Sequence, residues 1–167
     1  MSKAFTREDV EEREPPVFPR RNPDLPPGAR NWMTADGAKR LQKELCTLQE
    51  RRAASWGAEA SRRAMEQRIA DLEHSLATAV VVEPADGPCE EVHFGATVTV
   101  REENRDVTVY RIVGMDEVDF DRRWVSWLSP LARALMNARI GERVVFESPA
   151  GKRTLEIVRI DDTPPTV

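Results

Sequence analysis

A length of 167 residues, 32% charged and 40% hydrophobic, suits one domain of ordinary size or a small domain with an appendage. The net charge of −4 argues against wholesale nucleic-acid binding, and no apolar run approaches the ~20 residues needed to span a bilayer. Cys46 and Cys89 lack CxxC spacing and His74 and His93 are isolated, so reduced thiols are expected, with no disulfide, metal or cofactor. The charged first residues have no apolar core, so a signal peptide is not expected and the cytoplasm is the expected compartment.

Residues 1–33 hold six of the 12 prolines, mix charges of both signs and show no apolar period, which predicts a flexible leader. Residues 34–82 predict a helical hairpin. In its first arm Ala38, Leu41, Leu45 and Leu48 share one helix face. In its second arm Met65, Ile69, Leu72, Leu76 and Ala79 do the same, giving the narrow seam of a short antiparallel coiled coil. Thr34 is a good N-cap, and Asp36 in the first turn complements the helix dipole. Gly57 lies between the arms and suits a tight turn, beside Trp56. Arms of about 20 residues make a finger roughly 30 Å long.

Residues 83–91 carry Pro84, Gly87 and Pro88 and read as a linker. From Val92 the period becomes two: Val92, Phe94, Ala96, Val98 and Val100 alternate with polar or small residues as a half-buried strand. Further strands are predicted at residues 107–113, 124–128, 143–147 and 153–160, with an acidic loop at Asp116, Glu117, Asp119 and Asp121. Ser129 as N-cap and Pro130 at the first helical position predict a short helix that stops before Gly141. Together these elements predict an α+β chain, with an antiparallel β domain carrying one short helix over residues 92–161 and a tail at 162–167.

The run Phe94-Gly95-Ala96-Thr97-Val98-Thr99-Val100 resembles the bacterial Gre family, the GreA and GreB transcription elongation factors. So do Tyr110-Arg111-Ile112-Val113-Gly114 with Asp116-Glu117 behind it, and Ser129-Pro130-Leu131-Ala132-Arg133-Ala134-Leu135. Gly141 and Ser148-Pro149-Ala150-Gly151 follow in the family's order and spacing. The start of the first arm, residues 37–45, is also similar, and residues 25–30 resemble the leader of a GreB-like subgroup. The resemblance implies an FKBP-like C-terminal domain that docks at the rim of the RNA polymerase secondary channel, with the finger pointing down that channel. On this likeness the docking residues are Leu128, Ser129, Pro130, Arg133, Asp116 and Glu117. A monomer with no membrane contact is expected.

In cleavage-stimulating members, acids at the fingertip help to hold a second Mg²⁺ that activates water. Carboxylate oxygens suit that ion, which then stabilises attacking and leaving oxygens together. This sequence departs from the pattern. Ala58 stands where the family has aspartate, and Glu59 is surrounded by Arg51, Arg52, Arg62 and Arg63, whose field repels a cation. The hairpin is also shorter than a typical member's by about ten residues per arm, which withdraws the tip by roughly 15 Å. Leu128 stands where the family often has Asp or Asn, and it cannot make the same hydrogen bond.

The expected function is therefore a binding regulator of elongation that is not itself an enzyme and holds no catalytic metal. Its tip arginines are placed to contact transcript RNA or a nucleotide phosphate. The alternatives are residual cleavage stimulation, or proline isomerisation by an FKBP-like pocket. Against the latter, only 6% of residues are aromatic, and Trp124 and Trp127 have opposite strand parity. Pairing of the hairpin with a second copy is disfavoured by Arg52 and Ser55 at seam positions.

Overall fold

The computed structural model describes residues 25–54, 59–84, 89–148 and 151–162. The expected leader up to residue 24, the tail beyond residue 162, the turn at Trp56 and Gly57 and part of the linker lie outside the described residues. The chain runs β1 (Asn31–Thr34), α1 (Ala35–Ala54), α2 (Glu59–Thr78) and β2 (Ala79–Val82). It continues through β3 (Thr97–Glu102), β4 (Val107–Val113), a 3₁₀ turn (Met115–Glu117), β5 (Trp124–Ser126), α3 (Pro130–Leu135), β6 (Arg143–Ser148) and β7 (Gly151–Asp161).

The hairpin packs along the seam that periodicity predicts. Leu41, Leu48, Ile69 and Leu72 are buried, with Ala38, Leu45, Met65, Leu76 and Ala79 packed around them. Each fully buried Leu or Ile contributes about 2 kcal/mol by leaving water. Thr34 caps α1, its hydroxyl accepting from the Gly37 N–H at 3.0 Å. Arg68 of α2 is buried and spans the arms, its Nε and Nη2 donating to the two oxygens of Glu44 at 2.9 and 3.1 Å.

The root of the hairpin differs from the expectation. Asn31–Thr34, the end of the expected leader with the first residue of the expected hairpin, pairs in parallel with Ala79–Val82, the expected end of the second arm. Met33 joins the hairpin core, and the Asn31 side chain donates to the Ser75 carbonyl at 3.1 Å. That carbonyl lies in the last turn of α2, where it also accepts from the Thr78 hydroxyl at 3.4 Å, so β1 adds to the satisfaction of the helix end.

The C-terminal sheet has the order β5-β4-β3-β7-β6 and is antiparallel except where β4 and β5 run parallel. Its main core lies beneath α3, where Val98, Val100, Ile112, Leu155 and Ile157 meet Ala132 and Leu135. In the pairing of β3 with β7, Thr99 faces Arg159 and Val100 faces Ile157, so Val158 is an extra residue in a bulge. The bulge restores the phase, which lets Ile157 and Ile160 both turn inward three residues apart. The strand expected from Val92 begins at Thr97. Val92, Phe94 and Ala96 are buried as the alternation predicts, yet they lie in an irregular segment joined to residues 137 and 138 by the backbone. Asn137 N–H donates to the Val92 carbonyl at 2.8 Å, and Val92 N–H to the Ala138 carbonyl at 2.9 Å.

The opposite face of the sheet is open along Val107 and Val109 but covered at Thr97 and Arg111, which are paired across β3 and β4. Asp36 of α1 meets Arg111 at 3.4 Å, so the hairpin root seats on one end of that face.

Candidate functional site

The junction between hairpin and sheet is built on two acids that sequence reading places on a docking surface. Glu117 is 1% exposed and Asp116 is 6% exposed. Both therefore turn into the protein, a correction to their expected role as docking residues. The Glu117 carboxylate accepts from the Thr34 N–H at 2.9 Å, the Thr34 hydroxyl and the Gly114 N–H at 3.0 Å. Space for it exists because Gly37 and Gly114 have no side chains. A Cβ on Gly37 would lie 1.9 Å from Glu117 Oε1, and one on Gly114 would lie 2.2 Å from the Trp32 carbonyl oxygen. Asp116 faces Ser75 and Asn31. Burial raises its pKa above the ordinary 3.8, outweighing the opposing hydrogen bonds from Ser75 and Asn31 and the nearby Arg68 and His74.

Beside this socket, Trp124 is buried against three guanidinium groups. Arg40, Arg111 and Arg122 lie 4.7, 5.2 and 5.3 Å from its ring centroid. Arg111, itself buried, also meets Asp36 of α1 at 3.4 Å. Trp127 points elsewhere and packs on Trp32 with centroids 4.5 Å apart. The two tryptophans thus have different neighbours, but β5 ends at Ser126, short of the strand expected over residues 124–128, so parity within one strand is not the reason.

The remaining expected docking residues form one surface. The Leu128 N–H donates to Ser126 Oγ at 3.2 Å, and Ser129 Oγ caps α3 by accepting from the Ala132 N–H at 3.1 Å. Pro130 and Arg133 are exposed on the first turn, with Leu128 and Ser129 half-buried beside them. Ser126 touches Met115 at 3.1 Å, so this surface borders the turn that carries the buried acids without including their carboxylates.

At the other end of the hairpin, Arg51 and Arg52 are exposed in the last turn of α1. Glu59 opens α2 and is bonded to Arg62 at 2.6 Å and Arg63 at 3.1 Å. The residues here do not fit Mg²⁺: the described carboxylate at the tip already faces two cations, and a hard divalent ion takes six oxygen ligands.

Sequence reading missed one cluster altogether. Cys89, His93 and Asp162 converge although 73 residues separate the first from the last. The Cys89 thiol donates to the Asp162 carboxylate, which pushes its pKa up to about 11. Pattern spacing held no signal, because the third member comes from the far end of β7.

Comparison with known proteins covers the same region. Residues 87–162 match the family model described as "Transcription elongation factor, GreA/GreB, C-term". The chain is 43% identical over 101 residues to the transcription elongation factor GreB of Neisseria meningitidis serogroup B, covering 59% of this chain and 61% of that protein. It is 41% identical over 102 residues to the transcription elongation factor GreA of Francisella philomiragia, covering 58% and 62% respectively. The chain thus spans about three fifths of the length of these relatives. A solved GreA/GreB elongation factor from Nitrosomonas europaea is 28% identical, covering 78% of this chain and 98% of its own at a TM-score of 0.41, too loose a superposition to argue from. Residues 87–162 thus resemble the C-terminal domain of the GreA/GreB transcription elongation factors.

Proposed function

We propose that this protein is an elongation regulator that binds RNA polymerase at the rim of the secondary channel without stimulating transcript cleavage. In this reading residues 92–161 dock through Leu128, Ser129, Pro130 and Arg133, and residues 34–82 reach into the channel as a short finger. The protein acts in the cytoplasm, and its chemistry is that of a ligand of the polymerase, not of an enzyme. No helix among the described residues is long and apolar enough to cross a membrane.

The observation that carries the reading is the engagement of Glu59 by Arg62 and Arg63. A carboxylate that already neutralises two guanidinium groups is a weak ligand for a second Mg²⁺, and the flanking Arg51 and Arg52 add repulsion. The same arginines suit a phosphate of the transcript or an incoming nucleotide. The isomerase alternative gains no support from the cleft lined by Arg101, Glu102, Glu103, Arg105, Arg143 and Glu156, which has no aromatic side chain.

The test is in vitro transcription on a backtracked complex, with this protein added alone and beside a cleavage-competent relative. Binding to core polymerase with no acceleration of cleavage, and slowed cleavage by the relative, is the expected result. Faster trimming of the transcript that disappears in Glu59→Ala would overturn it.

A further inference from the structure

We propose that Cys89, His93 and Asp162 form a zinc site, with its fourth coordination position open to water. One ligand atom from each residue lies within 4.8 Å of the others, and all three side chains are half-buried. Thiolate, imidazole and carboxylate are the donor types that zinc accepts together, and a sulfur ligand disfavours Mg²⁺ and Ca²⁺.

The orientation of His93 is the second observation. Its Nδ1 lies 3.1 Å from the Glu91 carbonyl oxygen. Donation to that carbonyl puts the ring proton on Nδ1 and leaves a lone pair on Nε2. A metal-binding histidine is commonly fixed in this way. Nε2 faces Asp162 Oδ1 at 2.6 Å, an ion pair only when the ring is protonated, and neither atom has another hydrogen-bond partner. A cation between them satisfies both, and the Cys89 sulfur on the other carboxylate oxygen completes a three-ligand set. On binding, the thiol proton is released to solvent and a sulfur–zinc bond takes its place. The ligands separate by about 1 Å to reach tetrahedral spacing around bonds of ~2.0–2.3 Å.

The place of the site gives the ion a structural consequence. His93 and Asp162 line a narrow cleft with Thr34, Val82 and Pro84, between the hairpin root and the end of β7. Zinc there ties the segment entering the C-terminal sheet to the last strand of that sheet, independently of the polymerase reading above.

The experiment titrates Co²⁺ into the full chain after chelator stripping, under a non-coordinating reductant, followed by displacement with Zn²⁺. The expected result is one ion per chain, with a thiolate-to-cobalt charge-transfer band and the strong visible bands of four-coordinate cobalt. Cys46, exposed on α1, is the control: Cys46→Ser keeps the band and Cys89→Ser loses it. Loss of an outer partner alone costs ~10–100-fold in metal affinity, so His93→Ala and Asp162→Asn are expected to weaken binding by at least ~10-fold. Zn²⁺ raises the Tm of the native chain and leaves that of Cys89→Ser unchanged, while circular dichroism reports whether each variant is folded. The proposal is overturned if micromolar Co²⁺ gives no thiolate band, or if the band persists in Cys89→Ser. An unchanged Tm of the native chain with Zn²⁺ overturns it equally; His93 is then a protonated partner of Asp162.

Discussion

Glu117, on the turn after β4, is hydrogen-bonded to Thr34, the residue that caps α1: its carboxylate accepts from the Thr34 N–H at 2.9 Å and from the hydroxyl. One side chain therefore sets the hairpin on the sheet, and Gly37 leaves room for it. Glu117→Ala is expected to destabilise the protein by about 2–4 kcal/mol, because two buried N–H groups lose their acceptor. Gly37→Ala is expected to cost about 1–3 kcal/mol through the clash with the carboxylate. The two changes share one space, so the double variant is expected to be more stable than the sum of the single losses allows. Urea denaturation of the four proteins measures the coupling, and strict additivity would show that the socket does not work as described.

Asp116 gives stability a pH dependence of the less common sign. Its pKa in the folded protein is raised, so between the ordinary 3.8 and the folded value the native state binds more protons than the unfolded chain. Its contribution therefore falls as pH rises through that window and stays low at neutral pH. Asp116→Asn removes the buried charge and is expected to raise the Tm at pH 7, with the gain shrinking as pH falls from the raised folded value toward 3.8 and constant below it. Thermal melts of both proteins across pH 3–8 check this; a Tm gain that grows toward low pH would contradict it.

The Arg68–Glu44 pair predicts an asymmetry. The Arg68 side chain is 10% exposed and that of Glu44 is 35% exposed. Removing Glu44 leaves a buried guanidinium without its bidentate partner, whereas removing Arg68 frees a carboxylate that water can reach. Glu44→Ala is expected to cost about 2–3 kcal/mol and Arg68→Met about 1 kcal/mol or less. Equal losses would mean that the pair is as solvated as an ordinary surface bridge.

Ser129 carries two roles that substitution can separate. Ser129→Ala is expected to cost about 1 kcal/mol, since the Ala132 N–H loses its cap, whereas Ser129→Asp retains an N-cap acceptor. If the surface at Leu128, Pro130 and Arg133 docks on the polymerase, Arg133→Glu is expected to weaken binding to core enzyme with no change in Tm. Binding measured by co-sedimentation, beside a thermal melt, distinguishes the effects. Undiminished binding by Arg133→Glu would remove this residue from the interface.

The arms of the hairpin were legible in the chain because Leu41, Leu48, Ile69 and Leu72 repeat at the helical period, and a period is a local property. The start of α3 was equally plain, since Ser129 and Pro130 act on the turn that immediately follows them. The strand from Val92 was half right. Its alternation reports which residues are buried, but burial can also be met by an irregular segment hydrogen-bonded to residues 137 and 138.

Asp116 and Glu117 were misplaced for a physical reason. Acids in a loop are cheapest in water, and nothing nearby in the chain announces that Thr34, Gly37 and Asn31 will come to meet them. The meeting of Cys89 and His93 with Asp162 is of the same kind, fixed by where β7 ends. Local pattern thus decided the helices, their caps and the buried faces of the strands. The seating of the hairpin on the sheet and the cysteine–histidine–aspartate cluster depended on contacts between distant residues, whose energy exists only once the chain has closed on itself.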